Sequence, residues 1–432
     1  MPIRLLNFLR GVYFRTISSI GFWPTLISGL LAAAAILLLS SNTDKPTAFL
    51  LEKLPGLMIK DGDTARVLLS TIVAGMVSLT VFSFTMVMSQ LNRAASEYSP
   101  RLLPGLISTR RHQVVLGLFL GTITFCLFVL INIEPSDDKY TLPGLAVLIG
   151  VILALSSLGV FIYFLHSISR SIQVTHILRT VATKTEKRLN QLSNSEARQG
   201  SAVPHREIGE VELVAERSGF LCGCNEKSLL AIADEHDLHI EVIAIQGEII
   251  LEKSIPVRIN REVEEEIRKE ILSCLYLDDE ERVESNYILG FKQIAEVGIR
   301  AMSPGTNDPG TALIAIDHLT RLLTFRMKFD DREDYQSDGR KGSVAIAVVT
   351  FPTLLYYLHA PFRTYCKHDV IIVLKLLQML SHLLSQPQGI EEHTEAICRE
   401  INSLLDDCRQ EIKSPADLER IDQSAKEALA KK

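Results

Sequence analysis

The sequence is poor in the residues that stabilise small secreted folds or keep a chain unfolded. It contains only seven cysteines among 432 residues, and 47% of its residues are hydrophobic. A disulfide scaffold needs a higher density of cysteines, and a disordered or collagen-like chain has far fewer apolar side chains. These classes are therefore excluded. At roughly 150 residues per domain, the length allows two or three structural units.

Short catalytic and metal-binding motifs are also absent from the sequence. There is no H-E-x-x-H, G-x-S-x-G or phosphate-binding G-x-x-x-x-G-K-[ST] segment. Cys222-x-Cys224 has neither the spacer nor the second cysteine pair of a zinc site. His236 and His239 have a spacing that can share a metal, but their acidic surroundings at a predicted helix end favour a solvated loop. We therefore expect no cofactor, no metal site and no enzyme activity.

Charge is distributed unevenly along the chain. Residues 1–168 hold 12 Lys or Arg and 8 Asp or Glu, a formal charge of +4, whereas residues 169–432 carry a formal charge of −10. The acidic second part argues against nucleic-acid binding, which requires a clustered basic face. A charge-poor part followed by a charge-dense part indicates two regions of different character.

Four long apolar runs occupy the charge-poor region. They lie at about residues 20–40, 67–90, 114–133 and 142–167, and each is close to the roughly 20 residues that a membrane-spanning helix needs. A soluble protein would have to bury four consecutive helices that have no polar face. The runs therefore predict membrane helices, in which each peptide group finds its partner within the helix. Their centres lack charged residues, which argues against a proton-relay transporter.

A soluble region is expected to follow the membrane helices. We divide the chain into a four-helix transmembrane domain at 1–168, a juxtamembrane helix and linker at 169–200, a small α+β subdomain at 201–260 and a mainly helical cytoplasmic subdomain at 261–432. The first apolar run is too long for the core of a signal peptide, so we interpret it as a retained helix. The predicted fold class is an integral membrane protein with four transmembrane α-helices followed by a soluble α+β/helical C-terminal domain.

Local patterns predict individual elements in the soluble region. Asn225 stands at the cap position of a short helix, and residues 209–221 alternate enough for a strand. Residues 261–277 predict a long helix, and residues 343–351, SVAIAVVTF, predict one buried strand. Helices from about Asp369 onward are expected to complete the chain.

The positions of Lys and Arg predict the orientation in the membrane. Segments 1–19 and 91–113, which lie on one side of the membrane, hold seven Arg. Segments 41–66 and 134–141, on the other side, hold five Lys or Arg, so these loops alone hardly favour either orientation. The deciding residues follow the last apolar run within about 22 residues, and they are Arg170, Arg179, Lys184, Lys187 and Arg188. We therefore predict that both termini are cytoplasmic, in a bacterial inner membrane, and that the cysteines are reduced.

Several segments make the chain similar to a known family. They are ARVLLSTI at 65–72, VFSFTMVMSQL at 81–91, EYSPRLL at 97–103 and IRAMSPGTNDPGTALIAIDHL at 299–319. Together they resemble the bacterial predicted membrane protein family of domain of unknown function 2254, over most of the chain. The family commonly shows Arg-Thr and Gln-Asp upstream of the SPG block, where this chain has Arg282-Val283 and Ser285-Asn286. The resemblance implies an architecture and no reaction.

The second apolar run carries small polar side chains at heptad spacing. On a helix these side chains share one face: Thr71, Ser78, Thr85 and Asn92, with Ser89 nearby. Such a face can line a hydrated pore, where side-chain oxygens partly replace the water around an ion. It can also pack helices together, because Gly75 lies on the same stripe and small residues allow close approach. Both interpretations stay open, whereas Gly117-x-x-x-Gly121 in the third run predicts packing.

The segment Ser303-Pro304-Gly305-Thr306-Asn307-Asp308-Pro309 is dense in turn-forming residues. Asp308 can cap the next helix, with Pro309 at its first position, because a cap oxygen satisfies exposed N–H groups and proline lacks one. In a functional interpretation, the oxygens of Ser303, Asn307 and Asp308 would bind a cation or a partner subunit. We carry these three residues forward as a candidate loop site.

Two functions from different classes fit these patterns. The first is a homo-oligomeric membrane channel or permeation pathway with a cytoplasmic regulatory domain, in which Thr71, Ser78, Thr85, Ser89 and Asn92 line the pore. The second is a membrane-anchored sensor or scaffold whose soluble domain binds a ligand or a protein partner. In both, the partners are the lipid bilayer and further copies of the chain, and no nucleic acid is involved. An enzyme ranks third.

The orientation can be tested with topology reporters. A reporter fused after Lys432 should be active in its cytoplasmic form, and one inserted near Asp137 should be active in its exported form. The reverse pattern would overturn the predicted orientation and leave the number of membrane helices unchanged.

Overall fold

The computed structural model divides into two compact units, residues 1–173 and 174–432. It describes residues 21–40, 61–97, 110–133, 144–171, 173–193, 211–278, 283, 286–328, 333–336, 342–386 and 391–431. The predicted linker up to residue 200, the EYSPRLL block after Glu97 and the positions of Arg282 and Ser285 lie outside the described residues.

Four helices form the described part of the first unit. Helix α1 spans Phe22–Ser40, α2 spans Gly62–Glu97, α3 spans Arg110–Ile131 and α4 spans Gly144–Ser171. Each of the four is long and apolar enough to cross a membrane. The prediction of four apolar helices in the first part of the chain is therefore confirmed.

Helix α2 is longer than the apolar run that predicted it. The run covers about 67–90, whereas the helix has 36 residues. Asp61 caps the start of the helix, because its Oδ2 accepts a hydrogen bond from the Thr64 N–H at 2.8 Å. Asp63 lies in the first turn, where the helix dipole favours a carboxylate. Hydropathy does not detect such polar turns, so the sequence analysis underestimated the helix at both ends.

Helix α3 packs closely against α1 through its two glycines. A Cβ added to Gly117 would lie 2.8 Å from Cδ1 of Ile27, and one added to Gly121 would lie 2.5 Å from Cδ1 of Leu31. A larger residue at either position would require the Ile27 or Leu31 side chain to shift, so glycine allows the two helices to approach closely. The GxxxG segment therefore packs helices within the protomer, as its spacing predicts.

Arg66 connects the start of α2 to the end of α3. Its Nη2 donates a hydrogen bond to the carbonyl oxygen of Ile133 at 2.5 Å. Ile133 lies just beyond the last turn of α3, where carbonyl groups have no partner inside the helix. The guanidinium therefore satisfies one of these carbonyls and holds two helix ends together.

The second unit begins with a helix and continues with two small sheets. Its first elements are α5 Val174–Ser193, β1 Val211–Leu213, β2 Gly219–Cys224, α6 Glu226–His236, β3 His239–Val242, β4 Ile249–Ile250, β5 Val257–Ile259, α7 Glu265–Ser273, β6 Leu275–Asp278, β7 Glu333–Gln336 and β8 Ser343–Ile346. One sheet has the strand order β1-β5-β3-β8-β7 and the other β4-β2-β6. Only the pair of β3 and β8 is parallel among the described strands. The first sheet thus takes β7 and β8 from the segment that the sequence predicts as mainly helical.

Sheet pairing changes two of the local predictions. The Asn225 cap of α6 is confirmed, because its Oδ1 accepts from the Ser228 N–H at 3.2 Å. The long helix predicted over 261–277 is wrong, because α7 ends at Ser273 and the next residues form β6. Residues of β6 pair with β2, and this long-range pairing overrides the local helical pattern. The strand predicted over 209–221 is divided between β1 and β2.

The strand predicted over 343–351 is shorter than expected. Strand β8 ends at Ile346, and Thr350 already caps the following helix by accepting from the Thr353 N–H at 3.4 Å. Gly342, just before β8, lies against the backbone of Ala233, which a Cβ would overlap. Only glycine therefore fits at the start of this strand.

A group of helices completes the second unit. They are α8 Tyr287–Ala301, α9 Pro309–Arg326, α10 Phe351–Cys366, α11 Val370–Leu384, α12 Glu391–Glu411 and α13 Pro415–Leu429. Helix α8 is central, since most of its residues are buried and it contacts α5, α9 and α10. The sequence analysis missed α10, because it placed the closing helices only from about Asp369 onward.

Two glycines of α8 set its distance from its neighbours. A Cβ at Gly290 would overlap the hydroxyl of Thr185 on α5. A Cβ at Gly298 would lie 2.8 Å from Cζ of Phe362 on α10 and 2.9 Å from Cβ of Ala315 on α9. The central helix therefore depends on glycine wherever its neighbours approach its backbone.

The substitution Gly290→Ala is expected to lower the free energy of unfolding by about 1–3 kcal/mol, since the new methyl group overfills a packed contact. Thr185 cannot move aside easily, because its hydroxyl donates to the Val181 carbonyl at 2.8 Å and rotation would replace the hydroxyl with its methyl group. Chemical denaturation of the full chain in detergent, followed by circular dichroism, measures this loss.

Gly305→Ala is the matched control for this prediction, because a Cβ at Gly305 would have open space around it. The double variant Gly290→Ala/Thr185→Ala should recover part of the lost stability. A Gly290→Ala variant as stable as the Gly305→Ala control would contradict the proposed contact.

Candidate functional site

The predicted polar stripe lies along one face of α2, and this face is exposed in the protomer. The exposed side chains are those of Thr71, Ser78, Thr85, Ser89 and Asn92. Gly75 belongs to the same face, and a Cβ added there would have open space around it. The Thr71 hydroxyl donates to the Val67 carbonyl at 2.7 Å, so it is satisfied within the helix. The structure therefore groups the five residues on one outward-facing surface.

One large side chain interrupts the stripe. Phe82 follows Ser78 by four residues and precedes Thr85 by three, so it lies on the same face of the helix. Its ring is 55% exposed and stands edge-on to Phe161 of α4, with the ring centres 6.0 Å apart. The sequence analysis missed this residue because it counted only polar side chains. An aromatic ring at this position divides the stripe into two polar segments.

Hydroxyl groups that join helices of the protomer lie elsewhere. The Ser28 and Thr124 hydroxyls are 2.9 Å apart between α1 and α3. The hydroxyls of Thr122 and Ser157 are 3.3 Å apart between α3 and α4, and both residues are fully buried. Ser78 forms no hydrogen bond of this kind with the described residues. Apart from Phe82, which contacts Phe161 of α4, the stripe is therefore separate from these hydroxyl contacts between helices.

The SPGTNDP loop connects α8 to α9, and its last two residues start α9. Asp308 Oδ1 accepts a hydrogen bond from the Thr311 N–H at 3.1 Å, and Oδ2 accepts from the Thr311 hydroxyl at 2.6 Å. Pro309 occupies the first turn, where a missing N–H leaves no hydrogen bond unmade. The capping role that the sequence predicts for these two residues is confirmed.

The remaining residues of the loop form a tight, exposed turn. The N–H groups of Thr306 and Asn307 both donate to the Ser303 carbonyl at 3.0 Å. Asn307 has a φ of 46°, a left-handed conformation that asparagine adopts more readily than most residues. Both Asp308 oxygens already accept from Thr311. The binding role of Ser303, Asn307 and Asp308 stays a prediction, and the geometry assigns Asp308 a structural task.

Potential metal ligands are dispersed in the described part of the chain. No group of three or more His, Cys, Asp or Glu side chains is arranged there to hold a metal ion. His236 ends α6, whereas His239 begins β3 and places its Nδ1 2.6 Å from the Ser343 hydroxyl. Asp237 between them has a φ of 50° and ends the helix in the left-handed region. The H-x-x-H segment therefore straddles a helix end and a strand start, as predicted.

Three cysteines of the second unit are held in their neutral form. Burial raises the pKa of Cys274 and of Cys408 to about 11 and that of Cys366 to about 12. A thiol needs to lose its proton to act as a nucleophile, and these values keep all three protonated near pH 7.

A buried ionic network between α10 and α12 escaped the sequence analysis. His359 Nδ1 lies 2.8 Å from Glu400 Oε2, and Arg363 lies 3.6 Å from the same oxygen and 3.5 Å from Asp407 Oδ2. Burial lowers the pKa of His359, although the Glu400 carboxylate opposes this shift. The available signal was the position of His359 four residues after Leu355, on the apolar face of α10. We assign the network to joining these two helices.

Comparison with known proteins identifies relatives but no activity. The family model described as "Predicted membrane protein (DUF2254)" matches residues 17–382. The uncharacterized proteins Mb1321c of Mycobacterium bovis and Rv1290c of Mycobacterium tuberculosis are each 26% identical to this chain over 330 residues. The match covers 73% of this chain and 63% of either relative, so the chain spans less than two thirds of the relatives' length. No solved structure matches the chain.

The capping role of Asp308 can be tested by its effect on stability. The substitution Asp308→Ala should lower the free energy of unfolding by about 1 kcal/mol, since the first N–H groups of α9 lose their acceptor. Asp308→Ser keeps a capping oxygen and should retain most of the stability. Chemical denaturation of both variants measures the difference, and equal stabilities would contradict the capping role.

Proposed function

The chain belongs to the DUF2254 family of predicted membrane proteins, and we propose that it forms a homo-oligomeric channel in the bacterial inner membrane. In this proposal, α2 of each copy faces a central pathway. The second unit is a cytoplasmic regulatory domain, and both termini lie in the cytoplasm. The observation that carries the proposal is the exposure of the α2 stripe on the surface of the protomer.

Hydroxyl groups on the outer face of a membrane helix need an explanation. Hydrocarbon offers no hydrogen-bond partner, so a row of hydroxyls is better placed against water or against another protein surface. Exposed apolar side chains lie on a neighbouring face of α2, among them Val77 and Phe84, and these suit lipid. The polar and apolar exposed faces of α2 thus favour different surroundings, and an oligomer around a hydrated axis provides both.

The chemistry of the stripe favours a small hydrated solute. Neutral hydroxyls and the Asn92 amide offer oxygens that can replace part of a hydration shell without binding an ion tightly. Phe82, between the two polar segments, supplies an apolar ring of the kind that narrows and dewets a pathway. Our proposal therefore assigns conduction to the hydroxyls and constriction to Phe82.

The main test replaces Ser78 and Thr85 together by leucine. Leucine adds bulk and offers no oxygen, so ion flux into liposomes should fall, whereas the oligomer should persist because leucine suits a membrane helix. Oligomer mass in detergent and flux are measured on the same preparation. Flux that is unchanged and greater than zero at intact mass would contradict the pore-lining role.

The matched control is Val77→Leu with Phe84→Leu. These two positions have the same spacing, lie one residue earlier on α2 and are also exposed. Their substitution should leave flux unchanged, because the side chains stay apolar. Loss of oligomer mass in the Ser78/Thr85 variant alone would show that the stripe packs copies together. A wild-type protein that assembles and conducts nothing would favour the sensor or scaffold.

A further inference from the structure

Helix α5 has one buried face and one exposed face, and its packing against α8 and α9 determines which residues lie on each. Its apolar side chains are buried in the second unit: Ile177, Leu178, Val181, Ala182 and Leu189. The helix contacts α8 and α9, and the close approach of Thr185 to Gly290 sets its rotation. Arg179, Thr183 and Lys187 therefore recur every four residues on the exposed side. The face that α5 presents outward is basic.

The positive charge on this face has no counterion among the described residues. Helix α5 contains a single carboxylate, Glu186, and its Oε2 accepts from Nη2 of Arg321 on α9 at 2.7 Å. No described carboxylate lies within ion-pair distance of Arg179 or Lys187. The Thr183 hydroxyl donates to the Arg179 carbonyl within the helix. The face therefore combines two unpaired cations with an Arg–Glu pair at its edge.

The positive charge of this face also acts on His318 of α9. Burial lowers the pKa of His318, and the charges of Arg321 and Arg179 lower it further. Asp317 opposes this effect, but its carboxylate is held by Lys375 Nζ at 2.5 Å. Arg321 and Arg179 therefore lie close enough to His318 to add to the effect of burial on its pKa.

Helix α5 follows α4 in the chain after a short connection. The candidate span in α4 ends at Ile168, and α5 begins at Val174. Six residues reach at most about 20 Å, even when fully extended. Where α4 crosses a bilayer, this short connection allows α5 to reach the lipid headgroups.

We propose that the exposed face of α5, through Arg179 and Lys187, binds the anionic headgroups of membrane lipids. Guanidinium and ammonium groups recognise phosphate oxygens, and a basic juxtamembrane helix is attracted to an anionic leaflet. A nucleic acid is a poor alternative, because residues 169–432 carry a formal charge of −10. This binding is independent of conduction, so it goes beyond the proposed channel function.

The test uses the full chain in nanodiscs of phosphatidylglycerol and phosphatidylcholine with the same acyl chains. Hydrogen–deuterium exchange of a peptide covering α5 should be slower as the phosphatidylglycerol fraction rises, while a peptide covering α13 should not change. The variant Arg179→Gln/Lys187→Gln should bind phosphatidylglycerol roughly 25-fold more weakly, at about fivefold for each cation removed. Exchange that is equal in both lipids would overturn the proposal.

Three controls separate charge, fold and ligand source. Lys413→Gln/Arg420→Gln removes the same charge from exposed positions in and before α13 and should bind like the wild type. Arg179→Lys/Lys187→Arg keeps the charge and should keep the protection. Unchanged exchange of the α13 peptide in the glutamine variant would show that this variant is folded. Protection that survives in the glutamine variant would refute the assignment. Equal protection by inorganic phosphate in phosphatidylcholine discs would identify a soluble anion instead of a lipid.

Discussion

The contact between α5 and α8 at Gly290 sets the arrangement of much of the second unit. No side chain separates the two helices there, so the backbone of α8 lies directly against Thr185. This distance lets the apolar faces of both helices interlock, and dispersion contacts accumulate only when such faces are closely packed. The same contact decides the rotation of α5 and thus which of its residues face outward. The absence of a Cβ at Gly290 therefore affects both the packing of the core and the choice of α5 side chains that face outward.

Buried polar side chains have different kinds of partner in the two units. In the first, two pairs of hydroxyls join neighbouring helices, Ser28 with Thr124 and Thr122 with Ser157. In the second, a buried carboxylate, Glu400, is approached by both His359 and Arg363. The stripe on α2 departs from both patterns, since its hydroxyls are exposed. This departure is the reason to look for function there.

Sequence patterns predicted the elements that local physics determines. Apolar runs located the four helices of the first unit, and the cap at Asp308 followed from the adjacent residues Asp308 and Pro309. Strand β6 was mistaken for helix because its pairing with β2 is a long-range interaction. The need for glycine at position 290 was equally invisible, since it depends on a residue more than a hundred positions earlier. The α2 stripe was found, but not its exposure, which depends on three other helices.

The length of α2 has a mechanical consequence. Its 36 residues extend about 54 Å, whereas the hydrocarbon layer of a bilayer is about 30 Å thick. In a membrane, the helix either tilts strongly or continues into the water as a stiff rod. A membrane helix responds to a change in bilayer thickness by tilting. When such a helix tilts, the turns that protrude from the hydrocarbon move farther than the turns inside it.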